Sequence, residues 1–402
     1  MEGYKKKGYI YMKKVGYTND SYPERRTIID NNMHNLKKIK SINMYFPQAA
    51  MKRIPYFGNK VDTYFYEKII ATKDIDGIHF FNSITDKNIP WISTFETLIP
   101  RTTATKFIQD DIEDLDNKKS IKKIEKYLKV LSNSQCKKII ALSQINKEMQ
   151  LHFLSYFPEY QNAITKKLIQ INPPQKKLRE RSEIEEKETN DVLKFLFVGK
   201  FFNLKGGKEI VDVFDKIHKE TNFKFELHLV SLGDMKNHVF GKYIDSEKEI
   251  EEVKQKIVNN EYMFFYEHIE NSKLLEMMKQ FDVGLLPTWA DTYGYSVLEF
   301  QANVCPVIST DIRALPEINN NSIGWMIKLP VNRFREVHIN SYEEKINARL
   351  ALQNQLEAIV LNILEHPEQL QGKSLKAYDH VTKNHSVEEY MRQLSDIYEK
   401  NF

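Results

Sequence analysis

Hydrophobic and polar residues follow two patterns along this chain, short apolar runs and longer amphipathic stretches. In the first half, four apolar runs have the length and composition of buried strands, namely 77–81, 91–95, 137–143 and 167–171. Lysine-rich residues 117–132 place four aliphatic side chains on one face of a predicted helix. These elements predict an α/β domain.

The second half alternates more regularly. Its predicted strands and helices follow one another at 193–199, 207–220, 225–230, 262–266, 272–280 and 283–286. Strands that alternate with helices favour a parallel, doubly wound sheet. We therefore predict a second domain, of the Rossmann-like kind.

A charged segment separates the two halves. Pro173 and Pro174 precede residues 176–191, in which eleven of sixteen side chains are charged. Prolines followed by dense mixed charge are typical of an exposed linker. We predict a first domain at 1–175, a linker at 176–191 and a second domain that begins at residue 192.

Positive charge is concentrated at the start of the chain. Residues 1–60 hold thirteen Lys or Arg against four Asp or Glu, although the whole chain has a net charge of only +4. Tyrosines lie among these cations, and such a surface suits an anionic acceptor or an anionic membrane surface. A solvated, lysine-rich face is the alternative. Nucleic acid is not expected, because no nucleic-acid-binding motif accompanies the charge.

The composition also bears on the compartment. The two cysteines, Cys136 and Cys305, lack metal-type spacing, and such sparse cysteine is typical of a reducing compartment. No run approaches the roughly 20 apolar residues that a membrane span needs. The first residues are too charged for the core of a signal peptide. We expect a cytoplasmic protein, peripheral at the inner face of the membrane where its basic segment binds lipid.

Two lysines flank the loop after the predicted strand 193–199. Lys200 directly follows the strand, and Lys205 precedes two glycines at the start of the next predicted helix. Glycine lets backbone N–H groups approach a ligand closely, and a helix N-terminus favours negative charge. A diphosphate suits this position, because both ammonium groups form charge-assisted hydrogen bonds. A purely structural helix start is the alternative.

A second candidate site follows the predicted strand 283–286. Asp291 lies in a polar loop, and Glu299 lies about one and a half turns into a predicted helix that starts near Gly294. A carboxylate at Glu299 can accept two hydrogen bonds from a ribose diol, and Asp291 can reach hydroxyls of an attached sugar. Five residues at the helix start should also contact the ligand, namely Tyr293, Gly294, Tyr295, Ser296 and Val297. The N–H groups of Tyr295, Ser296 and Val297 should be free to bind phosphate oxygens.

Together these motifs resemble those of retaining glycosyltransferases of the GT-B fold, family 4 type. The similar segments are Phe197-Val198-Gly199-Lys200, Lys205-Gly206, Leu232-Gly233-Asp234, Asp291 to Glu299, Pro306-Val307-Ile308 and Pro316-Glu317-Ile318. The resemblance covers about 190–400 well and 75–175 loosely. It implies an α/β protein with two Rossmann-like doubly wound domains facing a cleft. The nucleotide-sugar domain would end near residue 380, and a helix at 381–402 would cross back to the first domain.

The resemblance also implies roles for individual residues. Lys200 and Lys205 would neutralise the departing diphosphate, Glu299 would bind the ribose, and Asp291 would contact the donor sugar. His268 and Ile269 would contact the base of the nucleotide. Glu96 stands where the family has a histidine, and it is a further catalytic candidate.

The implied reaction moves a sugar, with retention of configuration, from a nucleoside-diphosphate sugar to a saccharide, lipid-linked or protein acceptor. A UDP-sugar is the favoured donor, no metal or other cofactor is expected, and surface glycan assembly is the expected setting. Asp291 is one methylene shorter than the family's glutamate, so a non-catalytic partner subunit that binds sugar nucleotides stays open. A sugar-nucleotide epimerase or a phosphorylase is the third alternative.

Overall fold

A computed structural model describes residues 13–30, 35–54, 63–102, 118–180, 192–231, 235 and 245–402. In these residues the strands are β1 (Lys14–Tyr17), β2 (Asn35–Lys38), β3 (Ser41–Asn43), β4 (Glu67–Ile69), β5 (Gly77–Phe81), β6 (Trp91–Phe95), β7 (Cys136–Ala141), β8 (Leu168–Gln170), β9 (Leu193–Val198), β10 (Phe225–Val230), β11 (Met263–Tyr266), β12 (Val283–Leu286), β13 (Val307–Thr310) and β14 (Trp325–Ile327).

The helices of the same residues divide between the two halves of the chain. They are α1 (Tyr22–Glu24), which continues as a π-helix (Arg25–Ile29), α2 (Tyr45–Lys52), α3 (Lys118–Ser132), α4 (Gln144–Ser155), α5 (Pro158–Thr165), α6 (Gly207–Glu220), α7 (Glu247–Asn259), α8 (Asn271–Met277), a 3-10 turn (Met278–Gln280), α9 (Tyr295–Ala302), α10 (Leu315–Ile318), α11 (Tyr342–Glu365), α12 (Gln369–Asn384) and α13 (Val387–Asn401).

The first half forms a six-stranded sheet in the order β2-β1-β5-β6-β7-β8, and all of its pairings are parallel. Every residue of β5 and β6 is buried, as expected for strands covered by helices on both faces. The antiparallel pair β3-β4 lies outside this sheet. The carboxyl ends of the parallel strands lie at one edge, where Glu96 directly follows β6.

The second half forms a parallel sheet in the order β11-β10-β9-β12-β13-β14. The strand order therefore reverses between β9 and β12, and ligands bind beyond the carboxyl ends of strands at such a switch point. The loops that carry Lys205 and Asp291 follow these two strands. Two doubly wound parallel sheets confirm the predicted α/β fold class.

The chain crosses between the two halves twice. The first crossing runs through Pro173 to Gln175, and the backbone N–H of Gln175 donates to the carbonyl of His385 at 2.8 Å. The second crossing leads into α13, whose Tyr390, Met391 and Leu394 pack with buried aliphatic residues of the first sheet. Burial lowers the pKa of His385 to about 4, so its neutral ring bonds the Pro173 carbonyl at 2.8 Å.

The predicted domain boundaries stay a prediction. Most of the predicted linker, residues 181–191, lies outside the described residues, and α12 continues past residue 380 to Asn384. Among the helices that the structure describes, none combines the length and the apolarity that crossing a bilayer requires.

Candidate functional site

Glycine holds the two loops of the switch point close together. Gly206, at the N-terminus of α6, has a φ of 85°, and a Cβ added there would overlap the carbonyl oxygen of Pro287. Gly294, at the N-terminus of α9, has a φ of 90° and packs against Leu315. Both backbone conformations are ones that glycine adopts without steric cost. Gly206 thus lets the loop after β9 approach the Pro287 carbonyl, and Gly294 permits the turn into α9.

The Gly294 turn can be tested by stability. Gly294→Ala should lower the free energy of unfolding by about 1–3 kcal/mol, because its Cβ would meet both a positive φ and the Leu315 side chain. Gly372→Ala is the matched control, since Gly372 lies exposed in α12 with no atom within 4 Å of an added Cβ. That control should stabilise by about 0.5–1 kcal/mol. Chemical denaturation of both variants measures the contrast, and equal effects would contradict it.

Lys205 and Asp291 form a partly buried ion pair across the switch point. The Lys205 ammonium lies 2.6 Å from Asp291 Oδ2 and donates to the Ala290 carbonyl at 2.9 Å. Burial favours the neutral acid, but the charge and hydrogen bond of Lys205 hold the pKa of Asp291 below its usual value. Asp291 Oδ1 accepts the backbone N–H groups of Tyr293 and Gly294 at 3.1 and 2.9 Å. Asp291 is therefore ionised and fixed in orientation.

Glu299 lies on α9 with only 6% of its surface exposed. Its Oε1 accepts hydrogen bonds from the Tyr22 hydroxyl and, at 3.1 Å, from the Arg26 guanidinium. Burial raises the pKa of Glu299 despite the nearby charge of Arg26. Both partners belong to the first half of the chain, so this carboxylate joins the two halves.

The N-terminus of α9 differs from the expectation at one residue. The Val297 N–H donates to the Gly294 carbonyl at 2.9 Å, so the prediction that it is free for phosphate was wrong. The left-handed conformation of Gly294 turns its carbonyl onto this donor. Within the described residues, the N–H groups of Tyr295 and Ser296 have no hydrogen-bond acceptor. The helix start thus offers two backbone donors rather than three.

The other residues predicted to bind the sugar nucleotide, Lys200, His268 and Ile269, are exposed or half-buried. Lys200 is exposed, with its ammonium 5.6 Å from the centre of the Phe201 ring. His268 is exposed and Ile269 half-buried in the loop between β11 and α8. The structure therefore brings Lys205, rather than Lys200, into direct contact with the Asp291 loop.

A cavity of about 150 Å³ lies beside Glu299. Its walls include Asn271 and Leu275 of α8, together with Tyr22 and Arg26 of the first half. Sequence reasoning missed these four residues, because nothing in their local pattern places them near residue 299. The position of α8 next to the His268 loop was the one available signal.

Glu96 lies across the cleft from the Asp291 loop. Its carboxylate accepts hydrogen bonds from Asn82 at 3.2 Å, from Arg101 at 2.8 Å and from the Thr292 hydroxyl at 3.2 Å. Three donors fix the carboxylate at the point where the first domain faces the second. The structure thus brings Glu96 beside the loop of Asp291, and Asn82, Arg101 and Thr292 are partners that sequence reasoning missed.

Arg313, in the loop after β13, is a further cation that sequence reasoning missed. It is 1% exposed, its φ is 46°, and its guanidinium lies 3.2 Å from the Glu336 carboxylate. Burial lowers the pKa of Arg313, whereas the negative charges of Glu336, Glu96 and Asp291 oppose that shift. This buried cation therefore offsets the two carboxylates on either side of the cleft.

No metal centre accompanies these groups in the part of the chain that the structure describes. There, no three His, Cys, Asp or Glu side chains come together as ligands of one ion would. The expectation that no metal is needed stays a prediction.

Comparison with known proteins adds a family to this geometry. Residues 177–355 match the family model described as glycosyl transferases group 1. A Klebsiella pneumoniae protein, described as an uncharacterized 41.2 kDa protein in the cps region, is 25% identical over 154 residues. That match spans 38% of this chain and 37% of the relative's length.

Several solved structures have a similar fold. A glycosyltransferase from Rickettsia africae has a TM-score of 0.56 at 15% identity, covering 97% of this chain and 98% of its own. HepE of Anabaena, solved in complex with UDP and glucose, has a TM-score of 0.55 at 10% identity, covering 96% and 100%.

A third structure, sucrose-phosphate synthase from Thermosynechococcus elongatus, has a TM-score of 0.55 at 16% identity, covering 82% of this chain and 74% of its own. At such identities the likeness shows the fold alone, which is the predicted GT-B arrangement. The chain therefore has a GT-B fold, and residues 177–355 of its second half match the glycosyl transferases group 1 model.

Proposed function

We propose that this protein transfers a sugar from a nucleoside-diphosphate sugar to an acceptor hydroxyl. The observation that carries the proposal is the arrangement of Lys205, Asp291 and Glu299 around the switch point of the second sheet. The Lys205 ammonium and the two open backbone N–H groups suit a diphosphate. The Asp291 carboxylate suits the sugar, and the Glu299 carboxylate suits the ribose. The match of residues 177–355 to group 1 transferases supports the same assignment.

Stabilisation of the leaving diphosphate is the main catalytic demand. Fixed donors aimed at developing charge are usually the largest single contribution to catalysis. In this chain, Lys205 and the N–H groups of Tyr295 and Ser296 supply such donors, while Asp291 holds the lysine in place and orients the sugar. We propose that Lys200 joins them once the donor is bound.

In this proposal Glu96 binds the acceptor. The Asn82, Arg101 and Thr292 donors hold its carboxylate at the interdomain face, from which it orients an acceptor hydroxyl. No protein nucleophile is needed if the acceptor attacks from the face that the diphosphate leaves, and we therefore propose retention of configuration.

UDP-sugars are the donors that we propose, because HepE, a neighbour in fold, has been solved with UDP and with UDP-glucose. The relative from a cps region supports a role in surface glycan assembly, with a glycan or lipid-linked acceptor. We propose a cytoplasmic location at the inner face of the membrane, in keeping with the basic character of residues 1–60.

Transfer from UDP-glucose and related donors, followed by NMR of the product's anomeric configuration, tests activity and retention together. An inverted product would contradict retention.

A second candidate is a sugar-nucleotide-binding partner subunit. It is favoured by the pairing of both carboxylates with side chains of the protein itself, Asp291 with Lys205 and Glu299 with Tyr22 and Arg26. Hydrolysis of an excess of donor separates the two functions, since an enzyme turns over and a binder does not. Binding without any turnover would select the subunit.

The contact of Tyr22 with Glu299 predicts an effect of unusual sign. Tyr22→Phe should tighten UDP binding about tenfold, because the ribose would no longer compete with a hydrogen bond to a charged group, whose contribution is about 1.5–3 kcal/mol. Isothermal titration with UDP measures the change, and Tyr17→Phe serves as the control in the same domain. Weaker binding would show instead that the Tyr22 hydroxyl is itself a donor contact.

A further inference from the structure

Helix α2 exposes an apolar face on the first domain. Residues 46, 47, 50 and 51 of α2 are exposed, and this spacing places them on one side of the helix. Ile54, in the turn that follows α2, is exposed as well. Phe46 is 66% exposed, Met51 41% and Ile54 48%. Large apolar side chains grouped in this way mark an interaction surface rather than scattered surface residues.

The β3-β4 pair, whose first strand α2 follows directly in the chain, carries a second exposed pattern. Ile42 lies directly opposite Lys68, so the two side chains share a face. Lys40 and Ile70 lie just outside the two strands, two residues from Ile42 and Lys68, and the Ile70 N–H donates to the Lys40 carbonyl at 3.1 Å, so they continue the same face. All four residues are exposed. The result is an alternation of isoleucine and lysine. We call these residues, together with the exposed side of α2 and Ile54, the α2-β3-β4 surface.

Positive charge surrounds the apolar residues. Residues 35–54 and 63–70 contain six Lys or Arg and a single acidic residue, Glu67, which is fully buried. Lys37 and Lys38 pair with Asp74 and Asp20. The other cations are Lys40, Lys52, Arg53 and Lys68. None of these four makes an ion pair with a residue that the structure describes.

We infer that the α2-β3-β4 surface binds an anionic lipid bilayer. Apolar side chains enter the boundary between headgroups and acyl chains, while lysine and arginine remain with the anionic headgroups. A second copy of this chain fits this surface poorly, because two such surfaces would place like charges opposite each other. The charge complementarity therefore favours an anionic membrane over self-association.

The α2-β3-β4 surface lies on the acceptor side of the cleft. Tyr45, the first residue of α2, stacks on Phe65 with ring centres 4.6 Å apart, and Arg101 lies 4.9 Å from the centre of the Phe65 ring. Arg101 in turn donates to Glu96. Docking through this surface would bring the membrane within a few side chains of Glu96, which suits a lipid-linked acceptor. This last point rests on the proposed function, whereas the lipid binding itself does not.

Co-sedimentation of the full chain with vesicles tests the inference. We expect binding to vesicles rich in phosphatidylglycerol and little binding to pure phosphatidylcholine. The double variant Phe46→Ser, Met51→Ser should lower the partition coefficient at least about tenfold, because it removes two large apolar side chains from the interface. Lys52→Glu with Arg53→Glu should lower it further at low salt. Val258→Ser, which changes a 78% exposed residue of α7, is the control and should bind like the unchanged protein.

Three results would overturn the inference. They are equal binding to both kinds of vesicle, unchanged binding of the Phe46 and Met51 variant, and a lipid-independent dimer that this variant abolishes in light scattering. A melting curve without any ligand shows that each variant is folded. Because vesicle binding needs neither donor nor turnover, its failure is distinguishable from failure of the proposed transferase activity.

Discussion

Replacing Lys205 by alanine should lower kcat about 100- to 1,000-fold, the range seen when one fixed donor to a developing negative charge is removed. The donor's dissociation constant should change less, because Lys205 acts most strongly on the charge that develops as the diphosphate leaves. Initial rates at several donor concentrations, together with titration by UDP, separate the two quantities. This prediction depends on the position of the Lys205 ammonium, 2.6 Å from Asp291 at the switch point.

Two companion variants make the Lys205 result specific. Lys208→Ala removes the lysine three residues further along the chain, in the first turn of α6, where it pairs with Asp212 at 2.8 Å, and it should leave kcat unchanged. Lys205→Arg retains the charge and should recover part of the activity. Equal losses of turnover and donor affinity in Lys205→Ala would contradict a leaving-group role. A melting curve shows whether Asp291 without its cation has destabilised the fold.

Glu299→Ala should weaken UDP binding about 100-fold. A ribose diol loses two hydrogen bonds to a charged acceptor in this variant, and each contributes about 1.5–3 kcal/mol. Part of the loss is offset, because the unchanged protein must first give up the contacts of Tyr22 and Arg26 with the same carboxylate. Isothermal titration with UDP measures the change.

Glu317→Ala is the control for the loss of an interdomain contact. Glu317 also joins the two halves, by accepting the backbone N–H groups of Gln144 and Ile145 at the start of α4. Its removal should leave UDP affinity unchanged. If both variants weaken UDP binding equally, the effect of residue 299 comes from domain orientation and not from the ribose.

The sequence predicted those elements of the fold whose pattern is long and regular. Strands β5, β6 and β10 lie at the predicted residues, because each is a continuous or alternating run of buried side chains. Strands β1 and β2 were not predicted. They have four residues each, contain lysine, and obtain their place from pairing with each other and with β5. Pairing of this kind leaves no periodicity in the sequence.

The site was predictable in part for a similar reason. The switch-point loops and the start of α9 carry local signals, so Lys205, Asp291 and Glu299 could be found from the chain alone. Contacts between residues on opposite sides of the cleft leave no local signal in the sequence. The bonds of Tyr22 and Arg26 to Glu299 join residues more than 270 positions apart, and only the three-dimensional arrangement reveals them. The engaged N–H of Val297 depends on a backbone angle at Gly294 that the sequence does not specify.

A melting-temperature screen with UDP, GDP, ADP, CMP and the common UDP- and GDP-sugars tests the central claim most directly. A ligand at a hundredfold excess over its dissociation constant adds about 2.7 kcal/mol of stability, which corresponds to roughly 5 to 10 °C. We predict a selective shift with UDP and a UDP-sugar in the unchanged protein, and its loss in Glu299→Ala. No shift with any nucleotide, or a shift that survives in Glu299→Ala, would contradict a nucleotide-sugar site at the switch point.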